Sequence, residues 1–157
     1  MKIKLIQIGK TEDSYLIEGI KKYSDRLIHY VNFSVVTIPA LKNAKNLQPI
    51  DFKLQEAVLL LKNIQTTDFV IVLDEKGKEF SSNDFAEYLR KQGVAGNSNL
   101  VFIIGGPFGF DEKIYQRADL KISLSKLTYS HQMIRLLFTE QLYRAMTIIR
   151  GESYHHE

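Results

Sequence analysis

The stretch "LVFIIGGPFGFD", residues 100–111, carries the residues best suited to hold a ligand. An apolar run ends at Gly105 and Gly106, followed by Pro107 and Gly109. Glycines just past a buried strand allow either a close backbone approach to a ligand or a sharp turn, and both readings stay open here. Spacing removes two nucleotide motifs. A P-loop needs G-x-x-x-x-G-K-[S/T], but Gly109 follows Gly105 by four residues and no Lys-Ser pair comes after it. The dinucleotide fingerprint G-x-G-x-x-G fails as well, because the glycines fall at 105, 106 and 109 after a late strand. In an open parallel sheet, ligands bind beyond the carboxyl ends of strands. Three such ends stand out: "IVLDEKG" at Leu73 and Asp74, "FIIGG" at Gly105, and "ISLSKLTYSH" from Leu124 to Tyr129. If these strands are neighbours, their loops wall one pocket of apolar side chains and free backbone amides. Such a pocket suits an adenine ring rather than a triphosphate.

Other constellations are weaker. Ser125, Ser130 and His131 lie close in sequence, but no G-x-S-x-G elbow accompanies them. His29, His131, His155 and His156 form no i,i+4 metal pair, and with no cysteine in the chain no thiolate site is possible. No metal is expected. Glu140 and Arg144 stand at i,i+4, enough for a helix ion pair, although Arg144 is also placed to reach a phosphate. Over the last segment Lys121, Lys126, Arg135, Arg144 and Arg150 outnumber Glu140, Glu152 and Glu157. Arg135 and Arg150 fit a solvated helix face equally well.

These residues need a scaffold, and the hydrophobic periods describe one. Residues 3–8 read as a strand, and 14–30 as an amphipathic helix on Tyr15, Ile17, Ile20, Tyr23, Leu27 and Tyr30. "FSVVTI" is strand-like, and "LKNAKNLQP" reads as a mobile surface loop. A second helix runs from Phe52 to Leu61. "FVIVLD" and "LVFIIGG" are fully buried strands, "EKGK" turns the chain, and "SSNDFAEYLRKQ" opens a third helix with candidate N-caps. "FDEKIYQRA" is a short helix and "LKISLS" a short last strand. "HQMIRLLFTEQLYRAMTIIRG" is the longest helix, apolar over more than one face, so it is covered on two sides, by the sheet and either by its own domain or by a second subunit. Strands alternating with helices imply an α/β fold with a mainly parallel sheet flanked by helices. The 157 residues suit a single domain, 1–157, able to bury a core. The composition, 45% hydrophobic and 25% charged, is that of a soluble globular chain. A net charge of +3 is compatible with an RNA partner without requiring one. "MKIKLIQIG" is too short and too alternating for a signal or a spanning helix, so no membrane role and a cytoplasmic location are expected.

Taken in order, "KIKLIQIGK", "VLDEKGKEFSS", "GGPFGF" and "ISLSKLTYSHQMIRLLFTEQLYRAMTIIRGESYHHE" resemble the RlmH group of SPOUT-class RNA methyltransferases. The resemblance covers essentially the whole chain. It implies a trefoil knot at the C-terminal end, a homodimer, and S-adenosyl-L-methionine as methyl donor. The implied acceptor is N3 of a pseudouridine in helix 69 of 23S ribosomal RNA, conventionally position 1915, within the assembled 70S ribosome. Carried over by position, the donor pocket falls on Leu73, Gly105, Leu124, Ser125, Lys126, Leu127, Thr128 and Tyr129. The acceptor side falls on Arg144, Tyr154 and His155, with His155 the candidate proton acceptor. Two positions depart from the pattern: Ser130 stands where relatives have Pro, and His156 where they have Arg or Lys. The alternatives are a SPOUT enzyme acting on another RNA such as tRNA, a non-catalytic ribosome-binding module, and a small flavin or nucleotide binder.

Overall fold

The alternation of strand and helix periods is realised element by element. A computed structural model describes residues 1–156. In chain order it contains β1 (Lys2–Ile8), α1 (Ser14–Leu27), β2 (Asn32–Ile38), α2 (Pro49–Leu61), β3 (Phe69–Glu79), α3 (Ser82–Val94), β4 (Asn99–Ile104), α4 (Glu112–Arg117), β5 (Leu120–Ser123) and α5 (Met133–Ile149). The strands form one sheet in the order β2-β1-β4-β3-β5, every neighbouring pair parallel. Side chains alternate across it. Ile3, Leu5, Ile71, Leu100 and Phe102 face one layer, where α1 and α3 pack beside α5. Ile6, Val70, Val72, Val101 and Ile103 face the other, with α2 and α4. The order is what right-handed crossovers require: leftward steps (β1 to β2, β3 to β4) use α1 and α3, and rightward steps (β2 to β3, β4 to β5) use α2 and α4 on the opposite face. β4 therefore sends its chain to one face, and its neighbour β3 to the other. A crevice opens between their carboxyl ends.

Several boundaries differ from expectation, for local reasons. Helix α2 starts at Pro49, not Phe52, because a proline in the first helical turn loses no hydrogen bond. Helix α1 ends at Leu27, and residues 28–31 close by turn bonds back to Ser24, Arg26 and Leu27. The segment 41–49 carries a short 3-10 turn, Ala44–Asn46, entered through Asn43 at φ 56°. "EKGK" does not turn the chain. β3 continues through it as a bulge: Leu73 and Lys78 both pair with Ile122, so residues 74–77 stand out of the ladder. Gly77 makes this possible, since a Cβ there would lie 2.6 Å from the backbone N and C of Ile122.

Arg135 is not on a solvated face. It is fully buried, with 0% of its surface exposed. Its guanidinium donates to the carbonyls of Ile8 (2.6 Å), Gly9 (3.0 Å) and His131 (3.0 Å) and to Thr11 Oγ1 (3.1 Å). Burial holds its pKa below the usual arginine value. Three carbonyls at the end of β1 and the start of α5 thus depend on one side chain. Arg135→Met should destabilise the fold by roughly 2–4 kcal/mol, since one buried and two half-buried carbonyls lose their donor. The check is a urea titration read at unchanged slope; an unaltered midpoint would show that the carbonyls find other donors.

Candidate functional site

The crevice is a cavity of about 620 Å³. Its walls are three loops: 73–76 after the regular part of β3, 104–110 after β4, and 122–131 from β5 toward α5. Tyr115 of α4 and Ile134 of α5 complete the lining. Leu73, Gly105, Leu124, Ser125, Leu127, Thr128 and Tyr129, all singled out by the sequence, line this one cavity. Lys126 does not. Its side chain is 86% exposed and reaches outward to Glu79 at 3.9 Å, where its ammonium stays hydrated.

Local bonding shapes each wall. In the glycine loop, Gly109 N–H closes a turn on the Gly106 carbonyl at 3.2 Å, and Gly109 sits at φ 77°, a region that favours glycine. Gly105 packs against the Phe110 ring, where a Cβ would come within 3.1 Å. At Gly106 a Cβ would collide with both carboxylate oxygens of Glu56, which reaches up from α2. In the third loop, Ser123 Oγ donates to the Ser125 carbonyl (2.7 Å) and Ser125 Oγ accepts from Leu127 N–H (2.9 Å). That turn leaves Leu127 72% exposed at the cavity. Thr128 Oγ1 donates to Glu75 at 2.7 Å, tying the third wall to the β3 bulge. Tyr115 donates its hydroxyl to Asp74, and burial together with that bond pushes the phenol pKa up. His131 is held below the usual histidine range by burial and by Arg135.

A second cluster lies on α5 and the tail. Arg144 donates to Glu140 Oε1 at 2.6 Å, and Tyr154 donates to the same oxygen at 2.9 Å. The Arg144 guanidinium stands 4.8 Å from the centre of the Tyr154 ring and 3.3 Å from His155 Nδ1. The hydrogen bond to Glu140 raises the Arg144 pKa. The structure therefore brings Arg144, Tyr154 and His155 together, but none of them lines the cavity. Ile134 of the lining and Arg144 are ten residues apart on α5 (144 − 134), about 15 Å of helix rise. His156 is exposed, and Glu157 lies outside the described residues.

Some residues escaped the sequence reading. Glu140 is more than an ion-pair partner, because it gathers Arg144 and Tyr154. Glu75 and Tyr115 of α4 carried no signal of their own, whereas Asp74 was marked by its strand end. Glu56 had one: it shares the helical face of Ala57 and Leu60, where a carboxylate is out of place. Among the described residues no group of three His, Cys, Asp or Glu is arranged to hold a metal ion. No helix of the described residues is long and apolar enough to cross a membrane.

A family model described as "Predicted SPOUT methyltransferase" matches residues 1–155. The chain belongs to the SPOUT methyltransferase family. SPOUT relatives agree with it end to end. The "Ribosomal RNA large subunit methyltransferase H" of Christiangramia forsetii is 56% identical over 156 residues, covering 99% of each chain. The protein of the same name from Parabacteroides distasonis is 54% identical over 157 residues, covering 100% of each. The resemblance to the RlmH group thus holds over the whole chain. A crystal structure of tRNA (m1G37) methyltransferase from Aquifex aeolicus matches with a TM-score of 0.58 at 14% identity, covering 100% of this chain and 76% of that one. At that identity it shows a shared fold.

Glu56 gives this site a pH signature. It is 3% exposed, and burial lifts its carboxyl to about 7 from 4.5, opposed by a hydrogen bond from Gly106 N–H. The folded state then holds the Glu56 proton more tightly than the unfolded chain. Ionising it lowers stability progressively between pH 4.5 and about 7. Glu56→Gln, which never ionises, should gain on the parent across that window by up to about 3 kcal/mol. Urea unfolding at pH 4.5, 6 and 8 reads the difference. A gap between variant and parent that stays constant with pH would refute the burial argument.

Proposed function

We propose that this chain is an RlmH-type enzyme that methylates N3 of a pseudouridine in helix 69 of 23S ribosomal RNA on the assembled ribosome. It would take the methyl group from S-adenosyl-L-methionine and act as a homodimer of single-domain subunits, residues 1–157, in the cytoplasm. The implied trefoil knot would lie at the C-terminal end of the chain, where Gln132 ties the 124–132 loop to the β1–α1 loop, its Nε2 donating to the Lys10 carbonyl at 3.0 Å and its Oε1 accepting from Glu12 N–H at 3.1 Å. The observation that carries the reading is the cavity, whose glycine wall and 124–129 loop meet at the strand ends. The names of the full-length relatives support large-subunit ribosomal RNA as the substrate.

The residues present fit the donor. Leu73, Leu124 and Leu127 supply apolar surface for a flat ring, and backbone groups at Leu73, Gly105 and Leu127 supply directional polar contacts without a cation. Asp74 and Glu75 place negative charge in the lining, suited to a cationic sulfonium and an ammonium. When bound, the donor supplies an activated methyl group for an in-line displacement. What remains for the protein is orientation and proton management. Tyr154 offers a face for base stacking, and Arg144 a charge for a phosphate or for the imide anion that forms as N3–H is lost. His155, beside Arg144, is the candidate to take that proton. These groups stand away from their own cavity, so in the proposed dimer they serve the cavity of the second copy.

Calorimetry with S-adenosyl-L-methionine, followed by methylation of ribosomes from a deletion strain with the product nucleotide mapped, tests this directly. Gly105→Val should displace Phe110 and weaken donor binding at least about tenfold, a loss near 1.4 kcal/mol. Arg144→Ala should leave donor affinity intact while lowering single-turnover methylation about a hundredfold. Product at another nucleotide, or on tRNA, would reject the assigned acceptor. Absence of donor binding would favour a non-catalytic ribosome-binding module.

A further inference from the structure

Helix α2 is absent from the cavity lining, yet it grips the loop that forms one wall. Phe52 meets Phe108 ring edge to ring face, with centroids 5.2 Å apart. One turn later along the same helix, the Glu56 carboxylate lies against Gly106, within the influence of its N–H, and occupies the space a side chain at 106 would need. Glu56 is buried, and the ion pairs among the described residues do not include it. A buried carboxylate without a cation costs stability, and an apolar residue beside Ala57 and Leu60 would avoid that cost. Its contact with Gly106 is what the position gains.

We propose that Glu56 is a positioning residue for donor binding, setting the orientation of the Gly105–Gly106 peptide from behind the cavity wall. The claim rests on the reading of the cavity as the donor site. The peptide is planar and trans, so its N–H and C=O point in opposite directions. With Gly106 N–H directed at Glu56, the Gly105 carbonyl is directed away from α2. In this proposal that carbonyl is the one that accepts an N–H of the donor. The Gly106 carbonyl is fixed too, because it accepts from Gly109 N–H at 3.2 Å. Both ends of Gly106 are thereby committed, and the wall meets the ligand already shaped.

The test measures S-adenosyl-L-methionine binding by calorimetry on the full chain, alongside ribosome affinity and thermal midpoints. Glu56→Ala should weaken donor binding about tenfold, the effect of one buried N–H losing its acceptor. Glu56→Gln keeps an acceptor and should restore affinity to within about threefold of the parent. Ribosome affinity should not change in either. Gly106→Ala reaches the same contact from the loop and decides the matter if Glu56→Ala does not fold. It should weaken donor binding comparably, and the double variant should bind no worse than Gly106→Ala alone, as coupled sites do. Folded Glu56→Ala with parental donor affinity, or losses that add in the double variant, would overturn the assignment. A parent chain that binds no donor would instead bring down the donor-site reading, and this assignment with it.

Discussion

The structure depends on one buried cation. Arg135 makes no direct ion pair among the described residues; its guanidinium donates to the Ile8, Gly9 and His131 carbonyls and the Thr11 hydroxyl, with Glu12 acting on it from farther off. These groups belong to the end of β1 and the entry to α5, far apart in sequence. The long loop that walls the cavity runs from β5 to α5, and its last residues are fastened at this point. Gln132 strengthens the fastening through Lys10 and Glu12. Without Arg135 the buried Ile8 carbonyl and the half-buried Gly9 carbonyl would lose this donor. The third wall would then be tethered at β5, by Thr128 to Glu75, and by Gln132 to the β1–α1 loop.

The glycines near the cavity are not interchangeable. Gly109 answers a backbone requirement, a positive φ at a turn. Gly77 answers a steric one, the passage of the β3 bulge over the Ile122 backbone. That bulge carries Asp74 and Glu75 into the cavity lining instead of into the sheet. Gly105 lets Phe110 pack beneath the wall, and Gly106 admits the Glu56 carboxylate. Only the first of these is a matter of conformational freedom. The others are about what must lie next to the backbone, and in each case the neighbour shapes the site.

This difference explains what could be read from the sequence. The periods of "FVIVLD" and "LVFIIGG" follow from burial on both faces, so strand identity and the ligand edge were legible. The gathering of Leu73, Gly105 and the 124–129 residues followed from the strand-end rule once β3, β4 and β5 proved adjacent. Adjacency itself is a long-range property that periodicity does not carry. The Glu-Lys-Gly-Lys run around Gly77 has turn composition, while the pairing on either side of the bulge comes from β5, over forty residues later. Arg135 is hidden, and Glu56 only faintly marked, for a shared reason: residue type argues for exposure, and polar partners that the local sequence does not reveal make their burial tolerable. Lys126 shows the converse, a loop position whose neighbours line the cavity while its ammonium stays in water.

Glu140 sharpens the same point at the second cluster. It holds Arg144 at 2.6 Å and also accepts from Tyr154. An arginine so paired has much of its field cancelled, and it attracts polyanions less than a free one would. In the proposed reaction the RNA must therefore compete with Glu140 for the guanidinium. Exchange of one charge-assisted bond for another gains little energy by itself. It becomes favourable where the nucleotide also stacks on Tyr154, whose ring already lies 4.8 Å from the guanidinium. The coupling works against indiscriminate phosphate binding and in favour of a substrate that offers a base and an anionic group together. A chain with a net charge of only +3 has little general attraction for RNA to draw on. On that account selectivity rests on local geometry at Arg144 and Tyr154 more than on bulk electrostatics.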